Sequence, residues 1–131
     1  MSKILTYFSV VVLVIFLSCT KDESTNQDTF NTKINFTSPI SDAEFTLGDT
    51  IVISAIITSD VSMHGYEILI HNKSQKTSYP LKSKHTHGKE ISVNENWIVD
   101  YNGKTDVDIE IIAAIDHLDN KISSIRKVRC N

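Results

Sequence analysis

From Lys33 onward, apolar side chains recur at every second position, and no segment carries them at the spacing of a helical stripe. Successive residues of an extended chain face opposite sides, so this period marks strands with one face in a core and one in water. Ile34 and Phe36 alternate with polar neighbours as far as Ser38-Pro39. Ile51, Ile53, Ala55 and Ile57 share a face after the turn Gly48-Asp49, and Tyr66, Ile68 and Ile70 share a face in the next strand. Thr77, Tyr79 and Leu81 make a weaker strand, and Ile91 and Val93 a short one. Val107, Ile109, Ile111, Ala113 and Ile115 give the clearest strand, with Asp106, Asp108 and Glu110 on its wet face. Ile122 to Cys130 forms the last, after the turn Leu118-Asp119-Asn120. Seven short strands separated by turn residues predict an all-β sandwich.

The first 18 residues obey a different rule. Lys3 supplies a positive start, and Ile4 to Leu17 form an uncharged, mostly apolar run. A permanent helical span needs about 20 apolar residues, so this shorter run reads as the hydrophobic part of an export signal. It ends Phe16-Leu17-Ser18-Cys19, which resembles the lipobox of bacterial lipoproteins. One position departs from that pattern: Phe16 stands three before the cysteine, where Leu is usual. The resemblance implies that diacylglycerol alkylates the Cys19 thiol and that cleavage makes Cys19 the N-terminus. Two or more acyl chains make a stable membrane anchor. The alternative is an uncleaved anchor helix with an incidental cysteine. Thr20-Lys21-Asp22-Glu23 resembles the surface-export signal of Bacteroidota lipoproteins, implying an outer-membrane protein at the cell surface, with the periplasmic face as the alternative. Cys19 to Thr32 is rich in Ser, Thr, Asn, Gln and acids, with Phe30 its one large apolar residue, and such a stretch reads as a tether. The chain thus divides into a signal (1–18), a lipidated cysteine and tether (19–32) and one domain (33–131).

Removing 18 of 131 residues leaves a chain long enough to bury a core without metal or disulfide staples. Lys3 is the one charged residue before Cys19, so the exported chain carries 12 Lys/Arg against 16 Asp/Glu, a net −4. That balance argues against nucleic acid as a partner, because phosphate binding needs a basic surface. Lys121, Arg126, Lys127 and Arg129 have the spacing of a strand's outer face and edge. Lipid on Cys19 would leave Cys130 without a disulfide partner, and burial as a small apolar side chain is its expected state.

The opening Ile34-x-Phe36-x-x-Pro39, followed by Phe45-x-x-Gly48-Asp49-x-Ile51, resembles immunoglobulin-like and fibronectin-type modules of secreted bacterial proteins. The resemblance implies a β-sandwich of about seven strands over residues 33–130 and leaves activity open, since this architecture hosts many functions. His64-Gly65-Tyr66, His85-Thr86-His87-Gly88 and Asp116-His117 further resemble a group of single-domain Bacteroidota lipoproteins.

Threading the strands through an immunoglobulin-like topology sorts the five histidines. His64 opens the third strand, His85 and His87 return to the same end before the fifth, and the sixth finishes at His117. Four imidazoles from three segments are therefore expected at one rim, with His71 at the other. By parity His117 follows Val107 to Ile115 and His64 follows Tyr66 to Ile70, which aims both at the core side, while His85 and His87 share a face. Neutral imidazole is the commonest protein ligand for zinc and copper. Three or four at one rim would suit Zn(II) or Cu(II), and Met63 beside His64 could add a thioether and favour Cu(I). Surface histidines with no ligand role are the competing explanation. Cys130 is expected far from this rim.

Catalytic signatures are lacking: the sequence has no Gly-x-Ser-x-Gly elbow, Gly-rich phosphate loop or His-Glu-x-x-His. A triad of Ser62, His117 and Asp116 is geometrically poor, because adjacent Asp and His face opposite sides of a strand. Trp97 and Tyr101 lie between the fifth and sixth strands, where they could contact a ligand or pack over the end of the core. The sequence thus favours a lipid-anchored, non-catalytic envelope module with His64, His85, His87 and His117 as imidazole ligands. The alternative is an adhesion or accessory domain that presents its surface to an envelope protein or glycan.

Overall fold

The computed structural model describes residues 30–131; the expected export signal, the expected lipidation site at Cys19 and most of the expected tether lie outside them. The described residues form a β-sandwich of six strands: β1 (Lys33–Ser38), β2 (Ala43–Phe45), β3 (Thr50–Asn72), β4 (Thr77–Ile98), β5 (Thr105–Ala114) and β6 (Lys121–Cys130). All pairings are antiparallel except that of β2 with β6.

The two long strands organise the molecule. β3 and β4 pair as one hairpin, from Thr50 opposite Ile98 to Asn72 opposite Thr77. Within β3, residues 54–58 pair with β1 and residues 65–72 with β5. The hairpin therefore serves two sheets, one with β1 and one with β5, β6 and β2. The change of partner falls where register slips, between Thr58 and Met63 and again between Met63 and Gly65. Such bulges bend a strand and increase its local twist.

This continuity corrects the strand count. The segments around Ile51–Ile57 and Tyr66–Ile70 are two halves of β3, and those around Thr77–Leu81 and Ile91–Val93 are two halves of β4. Their junctions, Ser59 to Ser62 and Lys82 to Glu90, lack apolar alternation and read as turns, yet the backbone stays extended through them. β2 escapes a reading by period, since three residues are too few to show one.

The core forms between the sheets. Ile51, Ile53, Ile57, Ile68, Ile70, Ile109, Ile111 and Val107 are fully buried as expected. Each such side chain contributes about 1.5–3 kcal/mol relative to leaving it in water. Asp108, expected on the wet face of β5, is buried too, with its carboxylate paired to Lys73. Arg126 caps one flank, its guanidinium 5.1 Å from the centre of the Phe36 ring. Asp49 closes the turn before β3 by accepting the Thr46 N–H at 2.7 Å and the Thr46 hydroxyl at 3.0 Å. Those bonds hold its carboxyl below the usual range. At the far end Asn72 is buried, and its carbonyl accepts the Thr105 hydroxyl at 2.8 Å and the Gln75 N–H at 2.9 Å.

Candidate metal centre

His64 lies in the bulged bend of β3. The slip on either side of Met63 lets Met63 and Tyr66 both enter the core although they are three apart. His64 falls between them and is half-buried. Parity from Tyr66 does not carry back through this bulge, and Met63 spends its thioether in the hydrophobic core. Gly65 comes next, with φ of +139°, and a Cβ there would run into the Lys84 carbonyl oxygen. Only glycine lets β4 approach this closely, and the approach places His85 opposite Gly65.

His85 and His87 are two apart on β4, and both are exposed. β5 ends at Ala114, so His117 lies in the following turn and is exposed to solvent rather than buried in the core. Asp116 builds that turn. Its carboxylate accepts the N–H groups of Leu118 at 2.8 Å and Asn120 at 3.2 Å, and the Asn120 side-chain amide at 2.6 Å. The Asn120 amide is the main cause of its lowered pKa. With its oxygens committed to this turn, Asp116 is a loop former and not the acid of a triad.

The four rings gather around His64. Ring centres lie 3.9 Å away for His117, 4.8 Å for His87 and 6.3 Å for His85, and His85 and His87 are 4.7 Å apart. A Zn–N bond of about 2.0–2.1 Å puts each ring centre about 3.2 Å from the ion and tetrahedral neighbours about 5 Å apart. His64, His85 and His87 straddle that spacing, while His117 packs closer to His64 than a co-ligand would. As they stand, no three His, Cys, Asp or Glu side chains among the described residues have donor atoms disposed to hold a metal. The rings are gathered, and rotation about side-chain torsions is what would aim them. Exposure leaves His85, His87 and His117 free to make it.

His64 is the least satisfied member. Its Nδ1 is buried and has no hydrogen-bond partner among the described residues, and a buried polar atom normally has one. Desolvation lowers its pKa most, and the neighbouring His117, His87 and His85 lower it further, against a smaller opposing effect of Asp116. The imidazole is thereby held neutral, which is the ligating form.

Other candidates lie elsewhere. His71 is at the opposite end of β3, with Nε2 2.8 Å from the Glu110 carboxylate and Nδ1 2.6 Å from the Ser78 hydroxyl. Cys130 is a buried free thiol whose register partners are Phe45 and Thr105, at the end away from the imidazoles. Of the two alternatives for Trp97 and Tyr101, the structure has the packed one, with Trp97 inside β4 rather than between strands. They are 3% and 8% exposed, their rings pack edge to face at 5.9 Å, and Trp97 Nε1 donates to the Tyr79 hydroxyl at 2.9 Å. They close the end of the core, where burial pushes the phenol of Tyr101 far above its ordinary range.

A groove of about 320 Å³ opens beside the imidazoles on the outer face of the second sheet. Register aligns His85, Gly65, Ala114 and Lys121 in one row across β4, β3, β5 and β6. The two small residues at the centre of that row leave the groove open. Sequence reading misses it because a row across four strands has no signature in any one of them.

No family model matches the chain, and no curated protein matches it. Among solved structures it is similar to the fibronectin(III)-like modules of Clostridium thermocellum CbhA, at 17% identity and a TM-score of 0.51, covering 75% of this chain and 94% of that one. It is also similar to a Niemann-Pick type C2 protein from Japanese carpenter ant, at 13% identity and a TM-score of 0.51, covering 76% and 89%. Likeness at this identity concerns the fold, and the immunoglobulin-like, fibronectin-type sandwich is thereby established.

Proposed function

We propose that this chain is a lipid-anchored, non-catalytic binding module of the cell envelope that captures Zn(II) or Cu(II) through His64, His85, His87 and His117. The observation that carries the metal reading is the gathering of four imidazoles from three segments around a buried His64 Nδ1 with no partner among the described residues. All-nitrogen donors suit these two ions, and with Met63 in the core no soft ligand stands beside them among the described residues to favour Cu(I). The anchor reading rests on Phe16-Leu17-Ser18-Cys19 and the charged residues after it.

The metal reading is tested by titrating residues 20–131 with Zn(II), Cu(II) and Cu(I) under chelator competition. Saturable binding that disappears in the double variant His85→Ala, His87→Ala is expected. Binding no tighter than that of unrelated histidine-containing proteins overturns it. The anchor is tested by fractionating cells that express Cys19→Ala: the variant should leave the membrane fraction, and retention there refutes lipidation.

One observation favours an accessory module instead. Val52, Ile56 and Ile98 share the outer face of the first sheet and are 44%, 41% and 63% exposed. A face on which these three alternate with Thr50, Ser54, Ser92, Asn94 and Asn96 could meet an envelope protein or glycan. It would be the surviving reading if no metal binds.

A further inference from the structure

An open sheet edge is a template for another strand, and most edges among the described residues carry a feature that discourages pairing. β1 has six residues, slips in register between Phe36 and Ser38, and is followed by Pro39. β2 has three residues. β6 holds Lys121, Arg126 and Lys127 ahead of the residues that β2 covers. The first part of β4, residues 77–89, holds Pro80, Lys82, Lys84 and Lys89 and lies along the register slips of the β3–β4 pairing. Residues 90–98 have no such guard. Their pairing runs from Thr50 opposite Ile98 to Thr58 opposite Glu90 without a slip, and they include no Lys, Arg or Pro.

Val99 donates its N–H to the Asp49 carbonyl and accepts the Gly48 N–H, both at 2.9 Å, so its polar groups face the β3 side. Orientation alternates along a strand. Ile98, Asn96, Asn94, Ser92 and Glu90 therefore turn their N–H and C=O groups to the open side, where β4 has no ladder among the described residues. The chain's own leading residues approach from the opposite edge of this sheet: the Asn31 N–H reaches Asp60, and the Thr32 hydroxyl bonds with that of Ser59.

We propose that residues 90–98 pair with the same residues of a second copy of the chain, antiparallel about a two-fold axis at Asn94. The two first sheets then become one. Pairing about a residue sets even positions against even ones, so outward groups meet outward groups. A centre on Asn94 pairs the whole unguarded stretch. Asn94 then meets the second copy's Asn94, and Ser92 meets the second copy's Asn96. Amides and hydroxyls both donate and accept, so such groups can face their own kind. Glu95 falls opposite the second copy's Val93 and Glu90 opposite its Ile98, so no carboxylate faces a carboxylate. A centre on Glu95 would set two like charges against each other, which destabilises a strand pair. The interface is independent of the metal reading.

The test is made in cells that express the full chain with Asn94→Cys. Cα atoms of a hydrogen-bonded antiparallel pair are about 5.5 Å apart, within reach of a disulfide. Mild oxidation should therefore give a covalent dimer on a non-reducing gel. Wild type, whose Cys130 is buried, supplies the background. Ser123→Cys, exposed on the second sheet, supplies the yield of random collision. Adding Asn96→Pro removes an outward N–H and no bond to β3, and should cut the cross-link roughly tenfold. Asn96→Lys, a charge on an exposed edge position, is a second variant with the same expected loss. Both should keep the urea midpoint of wild type. A cross-link no stronger than that of Ser123→Cys overturns the proposal and leaves the edge to a different protein's strand. A cross-link that survives both changes at Asn96 overturns it as well.

Discussion

At position 65 the backbone of β4 is so near that a Cβ would collide with the Lys84 carbonyl oxygen, and φ is in the region that L side chains rarely adopt. Gly65→Ala should therefore destabilise the domain by about 1–3 kcal/mol, read as a lower urea midpoint at unchanged slope. It should also weaken metal binding, because relieving the clash moves His85. An unchanged midpoint would mean that this close approach does not hold in solution. Among the imidazoles, His64 is the hub and His117 sits closest to it, in a turn of its own. His64→Ala is expected to abolish metal binding and His117→Ala to weaken it by no more than about tenfold. Chelator competition with each single variant checks the order, and equal losses would show that all four rings ligate alike.

Among the described residues, the 115–120 turn and the β4 edge belong to elements that share no hydrogen-bonded ladder: β4 pairs with β3, and β5 with β3 and β6. A metal held by His117 together with His85 or His87 would tie that turn to the edge. Amide hydrogen exchange should then slow in residues 116–120 when metal is added, with Ile109 and Ile111 in the core unchanged. Uniform slowing across the domain would instead indicate simple ligand stabilisation. The same element view explains why β3 and β4 look like four strands in the sequence. A bulged bend breaks the alternation of side chains but not the hydrogen-bonded pairing, and sequence periodicity detects only the first.

For the whole molecule, the imidazole cluster makes stability depend on pH. The pKa of His64 is depressed in the fold by burial and by His117, His87 and His85. The unfolded chain therefore binds a proton that the folded one resists. Stability contributed by neutral His64 is complete above the unfolded value of about 6.5 and is lost as pH falls through the folded value. Thermal denaturation between about pH 7.5 and 5 should show Tm falling with acid in wild type and falling less in His64→Ala. Metal affinity should decline over the same window, since protons compete for the ligands. Bound ion at about one hundred times its dissociation constant would raise stability by about 2.7 kcal/mol, so Tm should climb with metal concentration at neutral pH. Equal acid sensitivity in the variant would place the titrating group elsewhere.

Period alone is enough to determine an all-β domain, because alternation of buried and wet side chains is a local property of each strand. Val107, Ile109 and Ile111 are buried as their spacing requires. The gathering of His64, His85, His87 and His117 is legible once a strand order is assumed, since antiparallel strands return the chain to the same end. What only the tertiary structure decides are matters of phase and neighbourhood. The bulge at Met63 reassigns which side chains enter the core, Trp97 and Tyr101 turn inward, and Gly65 beside Ala114 opens a groove. Each of these depends on a partner strand far away in the chain, and no local pattern of residues can carry that.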